Sequence, residues 1–480
     1  MSRQPSVCIV GAGMSGILMA IKLIKRGHTD FRIFEKSGKV GGTWRENRYP
    51  GVACDVASFY YCYDFEPNPD WSHRFSPGPE IQQYFERVAK KYNLDQYIQY
   101  HTEVTSAVFK DKQWEVTTAD GQTRRFDIYV AATGPLNNRK YPDIKGLADF
   151  QGKCFHTADW DDDYDLTGKR VGLIGSGSSG VQASWPIAQA AKSLSIFMRT
   201  PQWVIATPNP EYGTLAIALK HKIPLLGKLT RWFYAWVGEQ FGRAALFPGL
   251  RRKYIFKACE HSLNKIKDEA LREKVRPTDL PMCRRMIMSP TYHDALQLDN
   301  VDVIREGIEK ITADGVLCKD GTLHQLDLIV LATGFYPNAW NVKHIVGEHG
   351  KTIDEVWNTD KVHSYRSITL PGFPNYFMLI GPNSPITNLS LVDIASIGVD
   401  YILKCMDKIE AGEFDTLAPT VEAANAFNQE LQNSFDGTIW VSGCNSWYLD
   451  DDGIPQTWPW APSRFINDLS EPDMAHYETV

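Results

Sequence analysis

Two glycine turns of identical spacing constrain this chain more than any other feature. The first is Gly11-x-Gly13-x-x-Gly16. It follows the apolar run VCIV and opens the helically spaced ILMAIKLIKRG, and the apolar run FRIFE then ends in Glu35. Strand, turn, helix and strand of this length make one dinucleotide-binding unit. Gly11 makes the tight turn, Gly13 admits a pyrophosphate against the backbone, and Gly16 lets helix and strand pack; the helix N-terminus offers N–H groups to phosphate. The second copy, KRVGLIGSGSSGVQASWPIAQAAKSLSIFMR, repeats the spacing at Gly175, Gly177 and Gly180.

The two units differ where the second strand ends. Glu35 stands 19 residues after Gly16, and Arg199 stands 19 after Gly180. A carboxylate suits the free diol of a ribose. A guanidinium fork suits a 2′-phosphate. The first unit, with Gly11, Gly13, Met14, Ser15, Gly16, Glu35 and Lys36, is therefore expected to bind FAD. The second, with Gly175, Ser176, Gly177, Ser178, Ser179, Gly180 and Arg199, is expected to bind NADPH. A surface arginine in a loop is the competing reading of Arg199.

Two further segments, FDIYVAATG (126–134) and LDLIVLATGF (327–335), are each an apolar strand running into Ala-Thr-Gly, and each follows a hairpin-like stretch with Asp-Gly turns. Such strands return the chain to a dinucleotide domain, and Thr133 and Gly134 are placed at the FAD. The expected fold is α/β. It has two Rossmann-like domains, a discontinuous FAD domain with the NADPH domain inserted, plus a helical insertion. The expected boundaries are 1–140 and 333–480 for the FAD domain, 141–206 and 283–332 for the NADP domain, and 207–282 for the insertion.

With 480 residues, 43% of them hydrophobic, the chain can bury large cores. A net charge of −6 gives no sign of nucleic-acid binding. The nine cysteines form no CxxC pair and no metal-spaced cluster, which reads as a reduced intracellular protein without zinc or an iron–sulfur centre. The strand at Val7 leaves no room for a signal peptide. The most apolar stretch, about 214–249, is broken by Lys220, Lys222, Lys228, Arg231, Glu239 and Arg243. It falls short of the roughly 18–20 apolar residues of a membrane span, and it reads as amphipathic helices packed in the protein rather than as a membrane contact.

Flavin with NADPH serves three broad chemistries. A disulfide reductase needs a redox cysteine pair, and no CxxC or CxxxxC exists here. A plain reductase and a monooxygenase remain. Two motifs separate them: GGTWRENRYPGVACD (41–55), and FQGKCFHTADWD (150–161), in which Phe150, Gly152, His156, Trp160 and Asp161 fit F-x-G-x-x-x-H-x-x-x-W-D. On these residues the chain resembles the type I Baeyer–Villiger monooxygenases, a branch of the class B flavoprotein monooxygenases. The resemblance runs through most of the chain and is weakest in 207–275.

The resemblance implies the remaining roles. Gly42, Thr43 and Trp44 line the flavin, Tyr61 contacts its ring, and Val104 gives backbone contacts to the adenine. His156 and Trp160 lie in the linker between the cofactor domains and coordinate their movement. Arg199 and Thr200 match an NADP-binding R-T-P. In MCRRMIMSPTYHDALQLDNVDVI (282–304), Arg285 falls on the catalytic arginine, with Asp55 as its partner. Arg284 replaces a lysine that binds the 2′-phosphate, and His293 replaces a tyrosine. Arg285 also has a purely structural reading as an ion pair with Asp55. Asn383, in FMLIGPNSPI, belongs to a loop closing over the flavin. Trp447, in WVSGCNSWYLDDDG, belongs to a mobile loop that folds over the nicotinamide ribose.

The activity so implied is cytoplasmic, NADPH-dependent oxidation of a ketone to an ester or lactone by O2, through a C4a-peroxyflavin. Arg285 favours its anionic form. Sulfide oxidation can accompany it. One alternative is a class B enzyme oxygenating soft nitrogen or sulfur nucleophiles, which needs no arginine at position 285. A second is a non-catalytic flavoprotein. In the insertion, Trp232, Phe233, Tyr234, Trp236 and Phe241 read either as the lining of an apolar substrate path or as ordinary helix packing.

Overall fold

A computed structural model describes residues 4–336, 342–444 and 446–480. Its core is built on two parallel five-stranded sheets of matching order. The first runs Tyr376–Met378, Ile128–Ala131, Val7–Val10, Phe31–Phe34, Ile98–Gln99. The second runs Lys153–His156, Leu328–Leu331, Arg170–Ile174, Ser193–Phe197, Val301–Ile304. Each glycine turn thus leaves the central strand of its sheet. The central strands read as unbroken apolar runs because helices cover both faces of such a sheet. Val7, Cys8 and Ile9 are fully buried, as are Val171 and Leu173.

The first glycine helix, Met14–Lys25, buries nine of its residues and packs against the long helix Leu391–Glu410. That contact brings C-terminal sequence onto the N-terminal sheet, as does pairing of Tyr376–Met378 with Ile128–Ala131. The FAD-side unit is therefore discontinuous in sequence. The Asp-Gly turns close antiparallel hairpins, with Gly121 at φ 83° and Gly315 at φ 153°, conformations that favour glycine.

The chain crosses between the sheets twice, and the two passes are tied together. Lys140 N–H donates to the Gly334 carbonyl and Tyr336 N–H to that of Asn138, both at 2.9 Å.

Three features depart from the sequence reading. Cys283 and Cys444, 161 positions apart, are joined by a disulfide. No local spacing could reveal a pair so distant, which is why the cysteines read as uniformly reduced. His156 ends an edge strand of the second sheet, paired with Leu331, and so is not in the linker itself. The run KCFH pairs in parallel with Leu328–Leu331 on its one sheet side.

The third departure is in the insertion. It is helical, with Thr214–Lys222, Pro224–Leu246 and Leu250–Leu263. Yet Thr214–Lys222 buries no residue, and Pro224–Leu246 buries only its last turn or so. Trp232, Phe233 and Trp236 stand 69%, 49% and 50% exposed, so they neither line an interior path nor pack as core. Phe241, by contrast, packs against the main core. Among the described residues no helix is long and apolar enough to cross a membrane, and no cluster of His, Cys, Asp and Glu could hold a metal.

Candidate functional site

In the first turn, Gly11 has φ 104°, and a Cβ there would lie 2.6 Å from the Ala132 carbonyl oxygen. A Cβ on Gly16 would lie 1.9 Å from the Gly11 oxygen. These two glycines are fixed by backbone contact alone. Gly13 differs: its nearest neighbour would be the Gly42 Cα at 3.6 Å, so the space beside it is open. Met14 and Ser15 are buried in a helix start with no side-chain cap and no acid in its first turn. Its N–H groups and positive dipole end are free for an anion.

Glu35 is buried at the end of the next strand. Its carboxylate accepts from Ala12 N–H at 2.8 Å and Ser37 N–H at 2.9 Å. Two lone-pair positions remain for a diol. Lys36 donates to Asn137 Oδ1 at 3.0 Å at the surface. Across the cleft, Gly42 at φ 55° begins the short helix Thr43–Glu46. Trp44 Nε1 donates to the Tyr61 hydroxyl at 3.2 Å. Val104 is buried at the head of its strand, and Gly134 turns the chain away at φ 71°. Asn383, at φ 62°, is 3% exposed, yet among the described residues its Nδ2 has no partner. An orphaned buried donor is costly, and a cofactor carbonyl would satisfy it. The cleft fits FAD on these grounds.

The second turn repeats the first. Gly175 has φ 117°, and a Cβ on Gly180 would lie 2.3 Å from the Gly175 oxygen. A Cβ on Gly177 would meet nothing within 4 Å. Ser178 and Ser179 start an uncapped helix, Ser178–Ala190, again with no acid in its first turn. Ser176 Oγ donates to the Thr200 carbonyl at 2.7 Å, which fixes the R-T-P bend. Arg199 is exposed and, among the described residues, pairs with no acid. Its charge is available to a 2′-phosphate. Arg284 is different, because its Nε lies 2.9 Å from Asp279 Oδ2. The resemblance implies a 2′-phosphate ligand at this position, and here a carboxylate also faces the guanidinium.

Between the two clefts lies the best-defined polar contact. Arg285 Nε donates to Asp55 Oδ2 at 2.8 Å, and its Nη2 to Oδ1 at 2.6 Å. Asp55 holds the guanidinium well above the ordinary arginine range, against the opposing effect of burial. A third of the Arg285 side chain stays exposed, beside a small cavity shared with Trp203, Asp279, Leu280 and Arg284. A bidentate pair with one face open gives a fixed, permanently charged donor.

The motif at 41–55 explains how Asp55 gets there. The Tyr49 hydroxyl donates to Gln182 Oε1 at 2.8 Å, and Gln182 Nε2 to the Ala53 carbonyl at 2.9 Å. Gly51 needs no side chain because a Cβ would lie 2.4 Å from the Gln182 oxygen. The motif is thus seated on the second glycine helix, and Asp55 reaches across from the first unit.

The fingerprint residues do not touch this pair. Phe150 is buried beside Ile174 and Phe197. A Cβ on Gly152 would lie 2.6 Å from the Asp327 oxygen. Trp160 stands edge-on to Phe155 at 4.8 Å, and Asp161 accepts from Asp163 N–H at 3.2 Å. His156 Nδ1 accepts from Ala158 N–H at 3.1 Å, so its Nε2 donates to the Gly334 carbonyl at 3.0 Å. Burial lowers its pKa and keeps the ring neutral. His156 therefore holds the returning pass of the chain to the second sheet.

Sequence reasoning missed Tyr448. Burial raises the pKa of its hydroxyl, and the charge of the nearby Arg285 opposes that rise. The neighbouring Trp447 is 39% exposed, its ring 4.5 Å from that of Tyr448. The one available signal was adjacency to Trp447, and tyrosine in a loop is too common to single out. The disulfide pins this same loop to the segment carrying Arg285.

A family model described as flavin-binding monooxygenase-like matches residues 4–342. An uncharacterised monooxygenase of Mycobacterium tuberculosis is 42% identical over 463 residues, covering 96% of this chain and 93% of that protein. A Baeyer–Villiger monooxygenase of Streptomyces coelicolor is 35% identical over 481 residues, covering 99% and 92%. Among solved structures, an oxidised steroid monooxygenase bound to NADP superposes with a TM-score of 0.87 at 28% identity, covering 99% of each chain.

Proposed function

The chain belongs to the flavin-binding monooxygenase-like family, and from that premise we propose that it is a Baeyer–Villiger monooxygenase, oxidising a ketone to an ester or lactone with NADPH, FAD and O2. The observation that carries the reading is the Arg285–Asp55 pair between the two nucleotide clefts. Oxygenation of soft nitrogen or sulfur nucleophiles would leave this fixed cation without a task. We assign FAD to 1–140 with 333–480, NADPH to 141–206 with 283–332, and the helical insertion to 207–282. We place the activity in the cytoplasm, where NADPH is plentiful.

When bound, the nicotinamide supplies hydride to the flavin, and the reduced flavin activates O2 to deliver one oxygen atom to the substrate. The protein's own work is positional and electrostatic. The open sides of Gly13 and Gly177 admit the two pyrophosphates, and the uncapped helix starts hold them. Glu35 would take the FAD ribose diol, and the unpartnered Asn383 Nδ2 would be a donor to the flavin. Arg199, with Thr200, takes the 2′-phosphate. Arg284 is tempered by Asp279 and contributes less.

Arg285 keeps its positive charge at any working pH, and beside a reacting oxygen it would favour the anion that attacks a carbonyl. Asp55 holds its guanidinium in one orientation by two hydrogen bonds. Trp447 shields the site from water, on a loop held by Cys444. Incubation with NADPH, 18O2 and a panel of cyclic ketones, linear ketones and sulfides tests the reading. One labelled atom in an ester or lactone is the expected product. Labelled sulfoxide without any ester from the ketones would overturn it.

A further inference from the structure

The outward face of the insertion is apolar, aromatic and basic at once. Along Pro224–Leu246, Leu225, Leu229, Trp232 and Trp236 recur at the spacing of one helical face, and each is at least 50% exposed. Leu250 and Tyr254, on the next helix, are also exposed, at 85% and 75%. The opposite face anchors the helix. Arg231 turns inward, donating to the Tyr60 and Cys62 carbonyls and pairing with Asp393. A Cβ on Gly242 would approach Asn388 to 3.0 Å. The exposed stripe is therefore held out by contacts behind it.

Charge on this face runs against the rest of the chain. Residues 214–257 carry nine lysines and arginines against one acid, Glu239, in a chain of net charge −6. Some of these cations are engaged inward, as Lys220 is over the Phe59 and Tyr212 rings. Lys222, Lys228, Arg251, Lys253 and Lys257 are exposed, and among the described residues none pairs with an acid. Lys228 borders the apolar stripe.

We propose that this face docks on an anionic lipid bilayer, with Leu225, Leu229, Trp232 and Trp236 entering the interface and the free cations meeting the headgroups. Tryptophan and leucine beside lysine is the chemistry of a helix lying in the interfacial plane. No described helix can cross a bilayer, so the contact is monotopic. A second copy is disfavoured as occupant because an isologous contact sets the same cations against one another. Anionic headgroups complement them instead, at about 1 kcal/mol, or about fivefold in partitioning, per cation.

The test is co-sedimentation of FAD-loaded protein with vesicles of phosphatidylcholine alone or mixed with phosphatidylglycerol. Wild type is expected to sediment with the anionic vesicles, less as salt rises, and weakly with the neutral ones. Leu229→Ser/Trp232→Ser/Trp236→Ser is expected to lose binding by at least about tenfold. Lys222→Glu/Lys228→Glu/Lys253→Glu is expected to lose about a hundredfold or more. Both are surface changes, and unchanged flavin content shows that the fold is intact. The proposal is overturned if wild type ignores phosphatidylglycerol vesicles or if both variants still bind. It is equally overturned if light scattering shows a wild-type dimer that the apolar variant converts to monomer.

Discussion

Gly11 and Gly175 hold nearly the same backbone, at φ 104° and 117°, and each is backed by the carbonyl of an Ala-Thr-Gly return, Ala132 and Ala332. Both helices start uncapped and without acids. The units part company at the end of the next strand. Glu35 is buried and already bonded to two backbone N–H groups, whereas Arg199 is exposed and unpaired among the described residues. One scaffold is thus tuned in two ways. The first cleft is preorganised for a ligand that stays, and the second presents an open charge to a ligand that comes and goes.

The largest effect that tests this contrast comes from the two open glycines. Both have φ near −75°, which valine adopts, and room for a side chain in the empty turn. Gly13→Val is expected to give folded, colourless protein with no turnover. Gly177→Val is expected to stay yellow while NADPH reduction slows by at least about a hundredfold. Flavin absorbance and rapid-mixing reduction check both. Loss of flavin in Gly177→Val would show that the clefts are not independent.

Arg199→Ala is expected to weaken NADPH by about tenfold to a hundredfold, the worth of one or two charged hydrogen bonds. NADH should be almost unaffected, so the ratio of the two KM values reads the discrimination directly. Glu35→Gln should lower FAD affinity by about tenfold, since a neutral amide accepts more weakly than a carboxylate. Flavin release on dilution measures it.

How legible this was in the sequence depends on how local each cause is. The two turns, their strands and the Asp-Gly hairpins follow from short-range spacing, because steric limits at glycine act over a few residues. Tyr49, Gly51 and Asp55 were visible as a motif. The reason for them, seating on Gln182 of the second glycine helix, was not, because it spans 129 positions or more. Cys283–Cys444 and Tyr448 near Arg285 were hidden for the same reason. The exposure of Trp232 and Trp236 is not legible either: periodicity marks an apolar face but does not say whether anything covers it.

The smaller predictions concern the second unit alone. His293 lies under its glycine helix, and burial lowers the imidazole to about 4. Between the unfolded value near 6.5 and about 4, the unfolded chain binds a proton that the folded one does not. Stability is therefore full above about pH 6.5 and falls as pH drops through that window, by up to about 1.4 kcal/mol per unit. His293→Tyr should flatten the acid side of a Tm–pH curve. Separately, thiol titration in denaturant should find seven free cysteines without reductant, and nine after reduction. Nine without reductant would contradict the Cys283–Cys444 link.

The two clefts matter chemically only if Arg285, standing between them on its Asp55 clamp, does the work assigned to it. The direct measurement is the yield of ester per NADPH consumed by Arg285→Ala, beside its rate of flavin reduction. The account predicts FAD bound, NADPH still oxidised, and ester yield down by at least about a hundredfold, the reductant going to peroxide. Ester formed at the wild-type yield would contradict it.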